Sequence, residues 1–332
     1  MRRMNGAKKI SEGSRELRGS LPKLAAFSPG WSEYELIDTG AGRKLERFGE
    51  VVVARPEAQA EWRPGLGKAE WEAARGEFVP SGRSGKGEWK FSGDALKRWE
   101  MRRGELAFWV EATPAGHVGV FPDQAAHWEW MASLVEARVG TGSASSLPSA
   151  AAAPRILSLF GYTGLATLAC AAAGAQVTHV DASRKAIQWA RENQALSRLE
   201  ERPIRWIVDD APAFVAREIR REKKYDGLIL DPPRFGRGAK GELWKVEEAL
   251  PKLLRQCREL LSEAPLFVLL NTYTTVLTRG QTRIEAAQLH SFLQEMLRDV
   301  HAQIAVGELV LKDRAGRGIS SSVFARGTIG RG

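Results

Sequence analysis

The stretch Ile156-Leu-Ser-Leu-Phe-Gly-Tyr-Thr-Gly164 decides the fold that this chain predicts. Its mostly apolar first half predicts a buried strand, and the two glycines that follow predict a tight turn before a helix. Glycine permits such a turn and lets the backbone approach a ligand closely. A second apolar run, Val177-Thr-His-Val-Asp181, follows that helix. Strand, glycine turn, helix and strand together predict a parallel α/β sheet that binds a ligand beyond the carboxyl ends of its strands.

The alternation of apolar runs and helical stretches continues through the rest of the chain. We predict strands near 155–160, 176–181, 203–208, 225–231 and 265–271. Helices are predicted near 164–174, 183–197, 210–222, 244–262 and 281–298. Two further strands near 303–311 and 319–325 complete a seven-stranded, Rossmann-like α/β sheet, in which they are candidates for an antiparallel edge.

The region before this sheet predicts a smaller β-rich domain over 1–138, with a role in substrate recognition. Short β-prone runs at 50–55, 88–91 and 106–111 are separated by glycine, proline and serine clusters. Eight of the eleven tryptophans lie before residue 131, and we expect them to pack a small core, with base stacking by one or two as the alternative. Residues 139–153 predict a linker, which leaves 154–332 as the cofactor-binding domain.

Carboxylates follow the second and third predicted strands. Asp181 lies 181−161 = 20 residues after Gly161, where a carboxylate can accept hydrogen bonds from both hydroxyls of a ribose. Asp209 and Asp210 follow the third strand, and one of them, with Asp210 favoured, is expected to accept from an adenine amino group. The alternative is that either aspartate caps the next helix. The Gly-x-x-Gly spacing differs from the pattern that a dinucleotide pyrophosphate prefers, although Asp181 alone does not exclude a dinucleotide.

A proline-rich loop, Asp231-Pro-Pro-Arg-Phe235, follows the fourth predicted strand. Its two prolines stiffen the loop and remove backbone donors, so we expect its carbonyls to be free to accept from an amino group. We also expect Phe235 to stack on a planar base. Whether Asp231 accepts a proton or only a hydrogen bond stays open.

Together these segments resemble a known group of enzymes. With Val180-Asp-Ala-Ser-Arg-Lys-Ala186, Ala190-Arg-Glu-Asn193 and Asp210-Ala211, they resemble class I methyltransferases, which use S-adenosylmethionine (SAM). In particular, the chain resembles the bacterial 23S rRNA large-subunit methyltransferases with an Asp-Pro-Pro-x-Phe loop. His117-Val-Gly-Val-Phe-Pro-Asp-Gln124 is similar to the Gly-x-Phe-x-Asp-Gln segment of that family. The resemblance covers roughly 115–325 and implies SAM as cofactor and rRNA as partner.

The motifs and the resemblance give three sets of expected site residues. The expected cofactor-binding residues are Phe160, Gly161, Tyr162, Thr163, Gly164, Asp181, Ala182, Ser183, Asp209, Asp210 and Asp231. The expected catalytic residues are Asp231, Pro232, Pro233 and Phe235. The expected substrate-binding residues are Phe121, Gln124, Arg234, Arg237, Lys240 and Tyr273. For the three cations the alternative is a solvated loop, and for Tyr273 and Trp244 it is packing.

One departure from the family bears on the chemistry. Some members methylate carbon 5 of cytosine, which needs a cysteine thiolate to attack carbon 6, and they carry a Thr/Ser-Cys-Ser segment after strand five. Here that segment is Leu270-Asn-Thr-Tyr-Thr-Thr275, without cysteine, and Cys170 and Cys257 lie in predicted helices as expected core residues. We therefore expect a base nitrogen as the target. A small molecule or a protein side chain is the alternative substrate. Two other interpretations of the function are a NAD-linked oxidoreductase and a catalytically silent RNA-binding module.

Composition limits the remaining classes. The net charge is +9, and residues after 150 hold 49−22 = 27 basic and 40−20 = 20 acidic residues, an excess that attracts polyanions such as RNA. Two cysteines give no disulfide framework, and the basic start lacks the apolar core of a signal peptide, so we expect a cytoplasmic protein. The uncharged stretch 156–178 is interrupted by glycines, which argues against a membrane span. The five histidines lack metal-ligand spacing, and a homo-oligomer stays open.

Overall fold

The computed structural model describes residues 24–27, 30–82, 86–93, 98–140, 153–237, 243–273 and 285–329, without the side chains of 24–27, 237 and 243. The strands of the first half are β1 Leu24–Phe27, β2 Tyr34–Gly40, β3 Arg43–Phe48, β4 Val51–Pro56, β5 Gly76–Pro80, β6 Gly87–Phe91, β7 Arg98–Arg103 and β8 Leu106–Glu111. Those of the second half are β9 Arg155–Leu159, β10 Gln176–Asp181, β11 Ile204–Val208, β12 Gly227–Leu230, β13 Phe235–Arg237, β14 Leu243–Lys245, β15 Phe267–Tyr273, β16 Ala302–Lys312 and β17 Gly318–Ile329. The helices are α1 Lys68–Glu72, α2 Ala125–Val139, α3 Leu165–Ala172, α4 Arg184–Leu196, α5 Ala211–Arg220, α6 Val246–Glu259 and α7 Ala286–Met296.

A mixed sheet of eight strands forms the centre of the molecule, in the order β1-β16-β17-β15-β12-β9-β10-β11. The strands from β15 to β11 run parallel, and β17 runs antiparallel to β15 and β16. This confirms the predicted α/β sheet. The last two strands are antiparallel as expected, but they do not form the edge of the sheet, because β1 lies outside them. The eighth strand, β1, pairs in parallel with Gly307–Val310 of β16 and was not predicted. A four-residue strand carries too short a pattern to stand out in a sequence.

Other elements of the fold cover both faces of this sheet. Because successive residues of a strand point to opposite faces, each face has its own core. Ile156, Ile229 and Leu269 face a core shared with α2, α3 and the N-terminal strands. Their chain neighbours Leu157 and Leu270 face a second core shared with α5, α6 and α7. The near-continuous apolar runs of the sequence are the signature of strands buried on both sides, and they explain why the central strands were predicted. The short strands β13 and β14 were missed.

The N-terminal half forms a five-stranded sheet, β2-β3-β4-β5-β6, and a hairpin, β7-β8. The predicted β-rich region is therefore present, although β2, β3, β5 and β7 were missed. Trp31, Trp99 and Trp128 are buried, and none of the eight N-terminal tryptophans is exposed, which favours packing over base stacking. The domain boundaries stay a prediction, and most of the expected linker lies outside the described residues. Within the described parts of the chain, no helix is long and apolar enough to cross a membrane.

Candidate active site

The loop between β9 and α3 is held in an unusual backbone conformation. Phe160 and Tyr162 have positive φ angles of 58° and 50°, and Gly164, at the start of α3, has a φ of 85°. Left-handed backbone costs energy for residues with a side chain and collects at functional loops. Hydrogen bonds fix the turn, since Gly161 N donates to Val180 O at 3.2 Å and Gly164 N donates to Gly161 O at 3.0 Å.

The two glycines of this loop are required by close packing. A Cβ added to Gly161 would lie 2.3 Å from Cε1 of His179, and one added to Gly164 would lie 2.9 Å from the Cβ of Ala190. His179 is fully buried, its Nδ1 lies 2.8 Å from Thr167 Oγ1, and burial lowers its pKa to about 3, so the ring is neutral. The backbone of the turn therefore lies directly on an uncharged ring, without room for a side chain between them.

Asp181 closes this turn from the end of β10. Its Oδ2 accepts from Tyr162 N at 3.0 Å and its Oδ1 accepts from Ser183 N at 2.8 Å. Burial raises the pKa of Asp181, and the two backbone donors oppose that rise. Each oxygen keeps a second lone pair for a ligand hydroxyl. Ser183 itself caps α4, because its Oγ accepts from Ala186 N at 3.2 Å.

The two aspartates after β11, Asp209 and Asp210, make different contacts. Asp210 caps α5, since its Oδ2 accepts from Ala213 N at 3.1 Å, which is the alternative that the sequence left open. Asp209 forms an ion pair with Arg217 and accepts from Asp210 N at 2.9 Å. Both residues also line the cavity described in the next paragraph, so the side chain of either is accessible to a ligand bound there.

A cavity of about 940 Å³ lies at the carboxyl ends of the central strands. The predicted residues that line it are Phe121, Gln124, Phe160, Gly161, Tyr162, Thr163, Asp181, Ala182, Asp209, Asp210, Asp231, Pro233, Arg234, Phe235 and Tyr273. Gly164, Ser183 and Pro232 are not among the lining residues. Gly164 and Ser183 instead begin α3 and α4, and Pro232 is buried.

Asp231 is the polar centre of this cavity. Its Oδ1 accepts from Asn271 Nδ2 at 2.7 Å, and its Oδ2 accepts from Tyr273 Oη at 3.1 Å and from Gln124 Nε2 at 3.2 Å. Burial raises the pKa of Asp231 to about 7, the hydrogen bonds from Asn271 and Tyr273 oppose the rise, and the charge of Asp123 adds to it. A carboxyl group with a pKa near neutrality can hold or release a proton at physiological pH.

The expectation that the loop carbonyls are free is wrong in two places. Pro233 O accepts from Trp244 Nε1 at 2.7 Å, and Arg234 O accepts from Val246 N at 3.0 Å. The sequence did not reveal this because the loop turns into the β13-β14 hairpin and folds back on itself. Among the described residues, none donates to Pro232 O. Trp244 also packs its ring 5.1 Å from that of Phe160, so it both packs and lines the cavity.

Phe235 is one of the most exposed apolar side chains of the described parts, at 53%. The guanidinium of Arg234 lies 5.1 Å from its ring centre, and Arg234 Nε lies 3.5 Å from Glu247 Oε1. The charge of Arg234 is thus partly balanced within the protein. The side chain of Arg237 and all of Lys240 lie outside the described residues, so the expected row of three cations stays a prediction.

Two lining residues were missed as functional candidates. Asn271 was noted only as part of a segment that lacks cysteine, yet it donates to Asp231. His117 was quoted only as the start of a motif, and its ring lies 5.2 Å from that of Phe121 in the same cavity. Burial, with the charges of Arg55 and Lys44, lowers the pKa of His117 to about 4, so the imidazole is neutral. Only the tertiary fold brings these residues to the cavity.

Both cysteines of the chain are buried in cores, as expected. Cys170 and Cys257 are each 0% exposed, and burial raises the pKa of both thiols, that of Cys170 to about 12. Neither lines the cavity. The described residues also hold no group of three or more histidine, cysteine, aspartate or glutamate side chains arranged for a metal ion.

A known structure covers nearly the whole chain. The SAM-dependent methyltransferase from Agrobacterium tumefaciens is 41% identical, matches 93% of this chain and 94% of its own, and superposes with a TM-score of 0.82. This chain belongs to the SAM-dependent methyltransferases. The methyltransferase SMU.776, whose crystal structure is a complex with SAH, shares the fold at 18% identity, with a TM-score of 0.61 over 86% of this chain and 72% of its own.

Curated relatives of this methyltransferase match only in part. The ribosomal RNA large subunit methyltransferase K/L of Desulfotalea psychrophila is 27% identical over 186 residues, which are 55% of this chain and 23% of that protein. The same-named protein of Shewanella baltica is 34% identical over 110 residues, 32% of this chain and 15% of its own length. The chain thus spans less than a quarter of the length of these relatives. No protein-family model matches the methyltransferase.

The cradle of this methyltransferase fits its cofactor, SAM. The turn at Gly161 offers close backbone approach, and Asp181 offers carboxylate lone pairs at the end of β10. A nucleoside needs an acceptor of this kind for its ribose hydroxyls. We therefore assign the expected cofactor-binding residues as candidates on the basis of this geometry, with Gly164 and Ser183 shaping the turn and the helix rather than lining the cavity.

Proposed function

We propose that this enzyme methylates a nitrogen of a base in ribosomal RNA. The observation that carries the proposal is the cluster around Asp231, in which Asn271, Tyr273 and Gln124 hold one carboxyl group in the cavity that the exposed Phe235 also lines. The proposal also draws on the names of the partial relatives and on the excess of positive charge after residue 150. Positive charge favours association with an RNA backbone.

Bound SAM supplies an electrophilic methyl group. The target nitrogen attacks the methyl carbon with its lone pair, the carbon–sulfur bond breaks with its electrons left on sulfur, and the nitrogen loses a proton. We expect Phe235 to stack on the base, and Asp231 to accept a hydrogen bond or the proton from the nitrogen. With its pKa near 7, Asp231 can do either at physiological pH. Holding the base in line with the methyl group supplies proximity, a large part of such an acceleration.

The cysteine chemistry supports nitrogen over carbon 5 of cytosine. Attack on carbon 6 needs a thiolate beside the base. The only two cysteines of the chain are buried, with raised pKa values, away from the cavity. Asn271 stands in the segment where some members carry the nucleophile, and it donates to Asp231 instead. An amide cannot act as that nucleophile, so a target that attacks unaided fits this site better.

The test is methyl transfer from labelled SAM to unmodified 23S rRNA, followed by mass spectrometry of the nucleosides. Asp231→Asn is compared with Asp226→Asn, since Asp226 also carries protein hydrogen bonds but does not line the cavity. We expect an N-methylated nucleoside from the wild type and from Asp226→Asn, and a strong loss with Asp231→Asn. Labelled 5-methylcytidine would contradict the proposal. Label found only in a small molecule or a protein, with SAM binding intact, would overturn the RNA substrate but not the methyltransferase activity.

A further inference from the structure

A second set of polar side chains lies behind Asp231, outside the cavity. His127 in α2 and Arg326 in β17 are both buried, at 0% and 9% exposure. Arg326 Nε and Nη2 lie 3.0 and 2.6 Å from His127 Nδ1, and Arg326 Nη2 also donates to Ala126 O at 2.8 Å. Neither residue lines the cavity, and the proposed reaction does not use them directly.

The hydrogen-bond partner of Nδ1 determines which ring nitrogen of His127 carries the proton. An arginine side chain has only donors, so His127 Nδ1 must accept and the ring proton must lie on Nε2. The guanidinium stays charged because burial lowers its pKa only to about 10. The rings of Trp130 and Phe324 lie 4.9 and 4.8 Å from it. Burial and the charge of Arg326 lower the pKa of His127, so the ring does not gain a second proton near neutrality.

The Nε2–H of His127 and the side-chain oxygen of Asn271 are complementary buried groups. His127 Nε2 and Asn271 Oδ1 are both buried, and neither meets a hydrogen-bond partner, the other included, among the residues that the structure describes. The two residues are neighbours in the fold, because Asn271 on β15 pairs in register with Phe324 on β17, whose ring lies 4.9 Å from that of His127. The side-chain interaction with Asn271 raises the pKa of His127, against burial and Arg326, as expected for an N–H directed at a carbonyl oxygen. An Oδ1 that accepts from His127 leaves only the NH₂ group of Asn271 to turn toward Asp231, and Asn271 Nδ2 does lie 2.7 Å from Asp231 Oδ1.

We propose that His127 is a positioning residue, which with Arg326 fixes the orientation of the Asn271 amide so that it donates to the carboxyl group of Asp231. With His127 Nε2–H paired to Asn271 Oδ1, the four residues form one buried polar chain, Arg326–His127–Asn271–Asp231, whose two outer hydrogen bonds are present in the structure. This inference deepens the proposed function, since it explains how the group beside the target base is held. It requires only that Asp231 titrates, whatever the substrate is.

The chain has a measurable consequence for Asp231. The hydrogen bond from Asn271 lowers the pKa of Asp231, so an amide that is free to turn away lets that pKa rise. The other groups that act on Asp231 are Tyr273, Gln124 and the carboxyl of Asp123, and none of them shares a side-chain hydrogen bond with His127 among the described residues. A change at His127 therefore acts on Asp231 through Asn271, and the other groups stay as they are.

The first measurement uses the wild-type protein alone. Nitrogen-15 NMR of labelled histidine should show His127 as the neutral Nε2–H form from about pH 5 to about pH 9. An Nδ1–H form, or a doubly protonated ring at neutral pH, would overturn the proposal without any variant. Neither result depends on RNA, so failure here is distinct from failure of the proposed function.

The second measurement follows Asp231 by carbon-13 NMR of its carboxyl group. In His127→Phe, which keeps a ring but removes the donor, we expect the Asp231 pKa to rise by roughly half to one pH unit, the worth of one hydrogen bond. His127→Gln, which can still donate to Asn271, should restore much of the wild-type value. Val135→Ala is the packing control, since it removes buried apolar volume from the same helix α2 and Val135 neither carries a side-chain polar atom nor lines the cavity. Equal shifts in the control and in His127→Phe would assign His127 a packing role only.

Discussion

The hydroxyl of Tyr273 lies 3.1 Å from Oδ2 of Asp231, which ties the end of β15 to the end of β12 across the candidate active site. This hydrogen bond favours the ionised carboxylate, and burial favours the neutral acid. The balance of the two sets the pH at which Asp231 can accept a proton.

Removal of that hydroxyl should move the pH dependence of methyl transfer. In Tyr273→Phe the pKa of Asp231 loses an opposing contribution and rises further above 7, so the ascending limb of kcat against pH shifts to higher pH. Tyr225→Phe is the matched control, because the Tyr225 hydroxyl also donates to a buried carboxylate, Glu218 Oε2, at 2.7 Å, but not in the cavity. If both variants leave the limb where it is, Asp231 is not the group that titrates.

Replacement of Asp231 by asparagine should slow the reaction and alter stability in a pH-dependent way. Loss of an acceptor for the proton should lower kcat by a factor of roughly 10² to 10⁴.

Because burial raises the pKa of Asp231 from 3.8 to about 7, folding favours its protonated form. The contribution of Asp231 to stability is therefore greatest below about pH 4 and is lost as the pH rises through 7. Melting curves should show that Asp231→Asn gains stability relative to wild type between pH 5 and pH 8; a constant difference would contradict the raised pKa.

The loop between β9 and α3, where we expect SAM to bind, should not tolerate a single added methyl group at Gly161. Gly161→Ala places a Cβ 2.3 Å from the buried His179 ring, so the backbone of the turn must shift to make room for it. We expect SAM binding by calorimetry to be lost or weakened by at least an order of magnitude. Gly30→Ala has no atom within 4 Å of the new Cβ and should bind SAM normally. Normal binding by both variants would show that the turn does not contact the cofactor.

The exposed ring of Phe235 should matter for the nucleic acid and not for the cofactor. Stacking on a base is worth about 1–3 kcal/mol, so Phe235→Ala should lower kcat/KM for RNA by roughly 5- to 150-fold and leave the Kd of SAM unchanged. Val208→Ala, at an apolar side chain that is 40% exposed, serves as the control. An unchanged kcat/KM would remove Phe235 from the target site.

The cysteines should be dispensable. Cys170→Ala and Cys257→Ala together should retain methyl transfer within a few-fold at a temperature where the variant is folded, since both thiols are buried outside the cavity. A covalent carbon-5 mechanism requires a thiolate, so complete loss of activity in a folded double variant would bring that mechanism back. Circular dichroism verifies the fold of the variant.

Much of the catalytic half could be predicted because its strands are buried on both faces and its turns use glycine and proline. Asp231 and Phe235 stand out in the sequence because they belong to a loop with two consecutive prolines that directly follows an apolar strand. Asn271 and His127 did not stand out, since their role depends on atoms brought together across 40 and 144 residues of chain. The N-terminal strands β2 and β3 were missed for another reason, because charged residues such as Glu46 lie inside the fold, paired with Arg55, and disturb the alternation.

The short strand β1 has a consequence for any attempt to divide the protein. It covers the outer edge of β16 from Gly307 to Val310, so a fragment that begins at the predicted boundary of 154 would present that edge bare. Uncovered strand edges recruit other chains through their unpaired backbone groups. A catalytic fragment cut at this boundary is therefore expected to associate edge to edge in solution, and it should become monodisperse again when a peptide spanning the missing strand is supplied.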